Sequence, residues 1–252
     1  MNFFQKLIFL GYRKICSRWI PYELTELQKK KRLDCSRKLL KRFEKEGNSF
    51  LNRIVTGDET WILFKNPESK NKSKEWRKKD EKIPERPKLN KYSKKIMLTV
   101  FWDSRGVLSA DFSNTTITSE SYGKLLRKLK ENIIEKRENS DNVLLLHDNA
   151  KPHTAKENKK LIKKMKWENI DHPPYSPDLA PSDYHLFAPL KEYLSGKEYP
   201  NIEELSFAVN DWFSKKNILF YQSGIFKLEK KWKACIESEG NYFPKNKKNK
   251  KK

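Results

Sequence analysis

The sequence predicts an α/β domain in which a mixed β-sheet carries helices on both faces. Strand-like and helix-like segments alternate after residue 50, and this alternation is typical of sheets covered by helices. The run from Val143 to Leu146 is apolar at every position, as expected of a central strand buried on both faces. The pattern of apolar residues changes from helical to strand-like near residue 50. This change separates the predicted domain, residues 51–244, from a helical linker region over residues 1–50.

The linker region shows helical periodicity. Residues 1–17 indicate the remnant of a helix. In residues 23–47, leucines recur at roughly helical spacing among charged residues, and Gly47 offers a stop signal. We therefore predict one long amphipathic helix in front of the sheet.

The first half of the predicted domain contains three strands. Residues 53–64 predict the first strand, and residues 95–102 and 107–112 predict a β-hairpin that turns at residues 103–106. Residues 65–95 form a long, strongly basic connection. A connection of that length in a compact domain is usually functional or disordered.

The second half of the domain continues the alternation. Residues 118–138 predict an amphipathic helix, which Thr118 or Ser119 can cap. The segments that follow predict a strand at 142–148, a helix at 153–165, a weaker strand at 167–171, a proline-rich turn at 172–181 and helices at 182–194, 201–215 and 218–239. This order matches a ribonuclease-H-like fold, in which acids on the first strand, the fourth strand and a later helix converge at one end of the sheet.

The charge balance favours a nucleic acid as partner. The chain has 55 Lys and Arg residues against 33 Asp and Glu, a formal net charge of +22. Such an excess favours nucleic acid over an anionic membrane surface. No apolar run approaches the roughly 20 residues that span a bilayer. The three cysteines lie far apart without a Cys-x-x-Cys pair, which predicts neither a zinc ribbon nor a disulfide framework.

Three carboxylates have the local context of catalytic acids. Asp58 lies in the middle of the first predicted strand, where an unpaired acid would be costly to bury and a metal would offset the cost. Asp148 ends the apolar strand and therefore projects into the crevice that α/β sites use. Asp183 lies at a predicted helix start, where the helix dipole favours a negative charge.

Each carboxylate also has a structural interpretation. Asp148 could cap a turn, Asp183 could cap its helix, and Asp58 could pair with a lysine. Asp178 is the rival for the third position, although a turn-stabilising role is more natural for it. The four histidines lack a zinc-protease spacing, which favours structural or phosphate-facing roles; His147 could support Asp148.

Oxygen ligands of this kind select Mg²⁺ or Mn²⁺ over Zn²⁺. Two such ions about 4 Å apart can activate a water or a 3′-hydroxyl and stabilise the leaving oxygen. The sequence therefore predicts Asp58, Asp148 and Asp183 as the metal ligands of a nuclease or strand-transfer enzyme. It contains neither a glycine-rich phosphate loop nor a Gly-x-Ser-x-Gly elbow.

Four motifs give the chain a specific family resemblance, over almost its whole length. Residues 19–24, Trp-Ile-Pro-Tyr-Glu-Leu, correspond to the family's Trp-Val-Pro-His-Glu-Leu box. The other boxes are Thr-Gly-Asp-Glu-Thr-Trp at 56–61, His-Asp-Asn-Ala-Lys-Pro-His at 147–153 with Lys151 replacing an arginine, and Tyr-Ser-Pro-Asp-Leu at 175–179, continuing to Phe187. Positions 149 to 182 put 34 residues between Asp148 and Asp183. The chain thus resembles the catalytic part of mariner-type transposases.

The resemblance implies a mechanism and an assembly. It implies that Asp58, Asp148 and Asp183 are catalytic, with two Mg²⁺ ions that Mn²⁺ can replace. It implies hydrolysis at transposon ends, followed by attack of the freed 3′-hydroxyl on target DNA at a TA dinucleotide. It implies a homodimer in the nucleus, linked through residues 19–24 and through the basic connection 65–95, which resembles the family's clamp loop.

Two departures keep other hypotheses open. Family members carry an N-terminal region of about a hundred residues with two helix-turn-helix units, and this sequence begins near the end of the second unit. Residues 111–116 also look slightly shorter than the usual pattern. The alternatives are a host-adopted nuclease, as in SET-domain–mariner fusions, and a catalytically silent DNA-binding relic. We expect the Lys- and Asn-rich tail, residues 245–252, to be disordered and to serve as a nuclear localisation signal or a DNA-grasping tail.

Overall fold

A computed structural model describes residues 3–13, 17–68, 72–78, 80–85, 93–137 and 141–243. These residues contain one five-stranded mixed sheet in the order β3-β2-β1-β4-β5. The strands are β1 (Ile54–Leu63), β2 (Lys95–Asp103), β3 (Gly106–Ser113), β4 (Leu144–Leu146) and β5 (Glu168–Asn169). The predicted tail, residues 245–252, lies outside the described residues.

Helices lie on both sides of the sheet. Their bounds are α1 (Phe3–Phe9), α2 (Glu26–Glu46), α3 (Asn48–Asn52), α4 (Ser119–Arg137), α5 (Lys151–Thr154), α6 (Lys156–Lys164), α7 (Phe187–Leu194), α8 (Ile202–Ser214) and α9 (Ile218–Glu237). A short 3₁₀ turn, Pro177–Leu179, and a π-helical turn, Ser182–Leu186, lie between α6 and α7.

The strand register brings two of the predicted catalytic positions close together. β1 runs antiparallel to β2 and parallel to β4, with Thr56 beside Leu146. Asp58 lies two residues beyond Thr56, and Asp148 lies two residues beyond Leu146. Both carboxylates therefore lie at the carboxyl end of the short strand β4, which Asp58 flanks from the middle of the longer strand β1.

The sheet separates two hydrophobic layers. Leu144 and Leu146 face a core shared with α2, α7, α8 and α9, whereas Leu145 faces a second core shared with α4 and α6. All three leucines are at most 3% exposed. The prediction of a central strand buried on both faces is confirmed, because alternate side chains of β4 enter opposite cores.

A glycine next to Asp58 lets the sheet close tightly. A Cβ added to Gly57 would lie 2.3 Å from a ring carbon of Phe101 on β2, well inside van der Waals contact. Only glycine therefore fits beneath the Phe101 ring, and the strand carries Asp58 past it without a break.

Helix α2 is held to the rest of the domain by a buried arginine. Thr25 and Gln28 form a capping box at its start. Fully buried Arg32 donates to both carboxylate oxygens of Asp178, at 2.8 and 2.7 Å, and to Ser176 Oγ and Gly240 O, each at 2.7 Å. Asp178 is thus a structural residue, as the sequence favoured, and it fixes the turn before α7 to α2.

Several predicted boundaries differ from the structure. The helix predicted at 153–165 is wrong as one element, because Ala155 leaves helical geometry and separates α5 from α6. The helix predicted at 182–194 begins as a π-helical turn, and the strands predicted at 142–148 and 167–171 are shorter. The helix predicted over residues 1–17 is limited to Phe3–Phe9 within the described part.

The other predicted elements are confirmed within three residues at each end. They are β1, the β2–β3 hairpin, α2, α4, α8 and α9. Cys35 and Cys235 are free thiols, whereas Cys16 lies outside the described residues. The division of the chain near residue 50 stays a prediction.

Candidate active site

The three predicted aspartates line one cavity at the end of the central strands. Asp58 comes from β1, Asp148 from the loop after β4, and Asp183 from the π-helical turn. The cavity has a volume of about 480 Å³, and its wall is completed by the segment from His172 to Pro177. The structure therefore brings together all three residues that the sequence singled out.

Asp58 is the most constrained of the three. Its Oδ1 accepts a hydrogen bond from the backbone N–H of Glu59 at 2.8 Å. Burial and then repulsion from Asp183 raise the pKa of Asp58 well above its usual range. A carboxyl in this position favours a nearby positive charge.

Asp183 lies on a turn that is anchored from the sheet. Buried Ser182 accepts a hydrogen bond from the indole N–H of Trp102 on β2, at 3.0 Å. This bond fixes the residue before Asp183 against the core. Burial and repulsion from Asp148 outweigh the attraction of Lys191, and together they raise the pKa of Asp183 to about 6.

Asp148 is more exposed than Asp58 and is held by its own loop. Its Oδ1 accepts from the backbone N–H of Ala150 at 2.9 Å and from His153 Nδ1 at 2.7 Å. Burial alone would raise the pKa of Asp148, but these hydrogen bonds outweigh burial and lower it. Asp148 is therefore ionised and oriented at neutral pH.

His153 contacts one of the three aspartates, and the sequence did not single it out. Its side chain is 2% exposed, and its Nε2 lies 3.3 Å from Glu59 Oε1 on the far side from Asp148. Burial disfavours the charged ring, but the hydrogen bonds to Asp148 and Glu59 outweigh it and raise the pKa of His153 to about 9. The imidazolium thus links Asp148, five positions before it, to Glu59, which lies 94 positions before it in sequence.

The other histidines near the cavity have different roles. His147 does not bond Asp148; its Nδ1 lies 2.6 Å from the Tyr122 hydroxyl, and its ring stacks on His153 at 5.0 Å. Burial lowers the pKa of His147 to about 3 and that of His172 to about 4. Both rings are therefore neutral, and His147 supports Asp148 only through the ring of His153.

The carboxylates fit a hard divalent cation. Burial first, and repulsion from the neighbouring carboxylates second, raise the pKa values of Asp58 and Asp183, and a cation among these groups would offset both effects. Among the described residues, no three His, Cys, Asp or Glu side chains form a ready-made ion cage. Hard cations such as Mg²⁺ commonly keep several waters and take further ligands from substrate phosphates.

We expect His153→Ala to weaken metal use, because Asp148 loses its orienting hydrogen bond. Residues that orient metal ligands typically contribute about 10- to 100-fold in metal affinity or activity. The Mg²⁺ concentration for half-maximal DNA nicking should rise by about that factor. Glu59→Gln, which keeps the bond to Asp148, should shift it less. An unchanged Mg²⁺ dependence in a folded His153→Ala protein would contradict this role.

Comparison with known proteins gives consistent matches. A family model described as "Transposase (partial DDE domain)" matches residues 66–143. Mariner Mos1 transposase of Drosophila mauritiana is 37% identical over 245 residues, covering 93% of this chain and 68% of that protein. Histone-lysine N-methyltransferase SETMAR of Homo sapiens is 36% identical over 239 residues, covering 93% of this chain and 34% of that protein.

Solved structures agree with the sequence relatives. The Mos1 transposase paired-end complex with left transposon end superposes with a TM-score of 0.87 at 37% identity, covering 95% of this chain and 70% of that chain. The crystal structure of the catalytic domain of Mos1 mariner transposase gives a TM-score of 0.75 at 35% identity, covering 90% of this chain and 100% of that one.

The sheet order and the acidic cavity at its end define a ribonuclease-H-like catalytic domain of the DDE class. With 37% identity over two thirds of a mariner transposase, the chain belongs to the mariner-type transposases. The predicted fold class and the family resemblance are thereby confirmed. The catalytic roles of Asp58, Asp148 and Asp183 stay predictions. No helix in the described ranges combines the length and the apolar character that crossing a membrane requires.

Proposed function

We propose that this chain cleaves DNA phosphodiester bonds at transposon ends and joins the freed 3′-hydroxyl to target DNA. The observation that carries the proposal is the meeting of Asp58, Asp148 and Asp183 around one cavity. Family membership supports it, although the chain spans only 34% of one curated relative and 68% of another.

The three aspartates would hold divalent cations, with Mg²⁺ as the ion used and Mn²⁺ as a substitute. Structures of the Mos1 paired-end complex contain Mn or Mg. When bound, such ions activate the attacking oxygen and stabilise the leaving oxygen. The chain's own contribution is to position the carboxylates: β1 fixes Asp58, His153 keeps Asp148 ionised and aimed, and the bond between Ser182 and Trp102 fixes Asp183.

DNA reaches the cavity across a basic surface. Lys191 on α7 is near enough to Asp183 and Asp58 to interact with both electrostatically, although burial outweighs this attraction and lowers the pKa of Lys191. A second cavity of about 570 Å³ shares the wall His172–Pro174 with the first; it is lined by Lys31 and Lys38 from α2 and also by Asp34 and Asp171, the second of which pairs with Lys38. Phosphates that lead into the catalytic cavity would meet these cations.

Nicking of supercoiled plasmid tests the proposed activity. The protein is incubated with plasmid in Mg²⁺, in Mn²⁺ and in EDTA, and nicked circles are quantified on a gel. Nicking in either metal that stops in EDTA supports a metal-dependent nuclease. Absence of nicking in both metals, with plasmid binding intact, would favour the DNA-binding relic instead.

We expect DNA affinity to fall steeply with salt. Each phosphate neutralised by Lys or Arg releases counterions, and six or more such contacts weaken binding about a thousandfold between about 50 and 200 mM salt. Fluorescence anisotropy of a labelled duplex across this range measures the slope. An affinity that does not change with salt concentration would exclude binding that depends on contacts to DNA phosphates.

We also propose that two chains pair through residues 19–24 and the basic connection 65–95. Trp19 is 96% exposed and Trp76 is fully exposed, and tryptophans left in solvent at two such segments fit an interface between copies. Light scattering on the intact chain and on Trp19→Ala measures the mass. A monomeric intact chain would contradict pairing through these residues.

The basic tail supports nuclear localisation as a further proposal. Residues 245–252 contain six lysines within eight positions, a composition typical of nuclear import signals. A fluorescent fusion of the whole chain should enter the nucleus, and removal of the tail should reduce its import. Equal import of both forms would leave the tail without this role.

A further inference from the structure

Two tyrosines from distant parts of the chain stack at the mouth of the catalytic cavity. The rings of Tyr22 and Tyr175 are 4.0 Å apart between centroids and only 8° from parallel. Tyr175 lines the same cavity as the three aspartates. Tyr22 is 43% exposed and Tyr175 is 51% exposed, so the pair is open to solvent rather than packed in the core.

The backbone of Tyr175 is in a conformation that its side chain does not favour. Its φ angle is +53°, in the left-handed region that non-glycine residues rarely adopt. Such residues persist only when the surroundings over-determine them, and they cluster at functional sites. The position of Tyr175 is therefore maintained at a cost in stability.

The surroundings of Tyr175 supply that constraint from three directions. The Tyr242 hydroxyl donates to the carbonyl oxygen of Tyr175. The next residue, Ser176, accepts from Arg32 at 2.7 Å, and Arg18 donates to the carbonyl oxygen of Tyr242 at 2.8 Å. Tyr242 and Arg32 thus hold the backbone at Tyr175 and Ser176, and Arg18 holds Tyr242.

A half-exposed aromatic pair beside an acidic cavity fits a ligand that carries both a phosphate and a flat ring. Stacked tyrosines offer a rigid π-face, and every nucleobase can stack on such a face whatever its sequence. A base that leaves its stack loses stacking and pairing energy, and an aromatic surface compensates for that loss. The cavity and the pair together therefore match a nucleotide whose base is unpaired.

We propose that Tyr22 and Tyr175 form a stacking platform for an unpaired base of the DNA strand whose phosphate lies at the three carboxylates. The proposal rests on the proposed function in that its ligand is DNA. It adds a contact to the base, whereas the lysines and the carboxylates act on the backbone. The platform requires no particular base, since stacking tolerates all four.

Binding of two oligomers of equal charge tests the platform without any cleavage. One is a twelve-residue oligothymidylate, and the other is the same phosphodiester backbone with abasic residues throughout. Both are measured by anisotropy with the intact chain in Ca²⁺, a hard cation that takes the same oxygen ligands. We expect the wild type to prefer the oligothymidylate by about tenfold, as base–aromatic stacking predicts.

Three variants assign that preference to the ring. Tyr175→Leu keeps an apolar side chain on the same backbone and should reduce the preference to near unity, and Tyr22→Leu should reduce it in the same direction. Tyr175→Phe keeps the ring and should keep the preference. Phe207→Leu removes a 74% exposed ring on α8, outside the cavity, and should leave the preference unchanged.

The alternative is that the pair only anchors the linker to the domain. An unchanged preference in Tyr175→Leu, an equal loss in Tyr175→Phe, or no preference in the wild type would each overturn the platform. Thermal melting confirms that each variant is folded, and Tyr22→Leu replaces Tyr175→Leu if the latter is not. Plasmid nicking by the wild type is measured separately. A wild type that nicks plasmid but shows no preference for the oligothymidylate would refute the platform and would not contradict the proposed function.

Discussion

Asp148→Ala is expected to abolish metal-dependent nicking of supercoiled DNA, by about a thousandfold or more, while DNA affinity stays nearly unchanged. Asp148 combines an ionised carboxylate with a fixed direction, since both His153 and the N–H of Ala150 bond the same oxygen. Loss of a metal ligand removes several kcal/mol of transition-state stabilisation, and each 1.36 kcal/mol corresponds to a factor of ten in rate. DNA affinity depends instead on the many lysines, none of which this substitution removes.

A matched variant separates the loss of a ligand from the loss of a charge. Asp171 is a neighbouring exposed carboxylate that pairs with Lys38 and lies in the second cavity. Asp171→Ala makes the same change in net charge and should retain nicking within a few-fold. Plasmid nicking in Mg²⁺, beside anisotropy with the same DNA, compares the two. Nicking retained by folded Asp148→Ala would remove Asp148 from the site.

The sequence predicted best where local pattern decides the structure. The strand alternation of β1, the turn between β2 and β3, and the helical period of α4 are each set within about twenty residues, and each element is confirmed. Asp58 and Asp148 were predicted for a related reason. An acid in the middle of a strand, or at the end of a fully apolar strand, conflicts with its local context, and such conflicts are expected at functional sites.

What the sequence did not predict depends on contacts between remote segments. His153 was assigned a structural or phosphate-facing role, yet it joins Asp148 to Glu59 across the sheet. Glu59 directly follows Asp58 in β1, but no local pattern shows that a buried imidazolium links it to Asp148. The π-helical turn at Ser182–Leu186 likewise begins at a residue that Trp102 bonds from the sheet, a contact that periodicity does not show.

The remote contacts share one feature: they fix the cavity wall. The segment from His172 to Pro177 contains no regular element of its own before the 3₁₀ turn, so its shape depends on what binds it from outside. Arg32 bonds it from α2, Tyr242 bonds it from the end of the described chain, and Tyr22 stacks on it from the linker. Residues of the linker region therefore help to shape the cavity wall, although they precede the sheet domain in sequence.

Asp178→Ala should accordingly be the most destabilising single substitution at this wall. It leaves the guanidinium of Arg32 fully buried and without its counter-charge, since both of its bonds to Asp178 are lost. Removing one partner of a buried ion pair costs about 3–5 kcal/mol, because the remaining charge keeps its desolvation penalty. We expect the free energy of unfolding, measured by urea denaturation, to fall by that amount.

An exposed ion pair on the same helix provides the control for that loss. Arg42 on α2 pairs with Glu168, whose side chain is 51% exposed, and surface pairs of this kind contribute less than about 1 kcal/mol. Glu168→Ala should therefore change the free energy of unfolding several times less than Asp178→Ala. Similar losses in the two variants would show that water or a rearranged Arg32 replaces the lost carboxylate. In that case the cavity wall would owe its shape to the tyrosines and to Ser176, and Asp178→Ala would retain nicking at temperatures where it is folded.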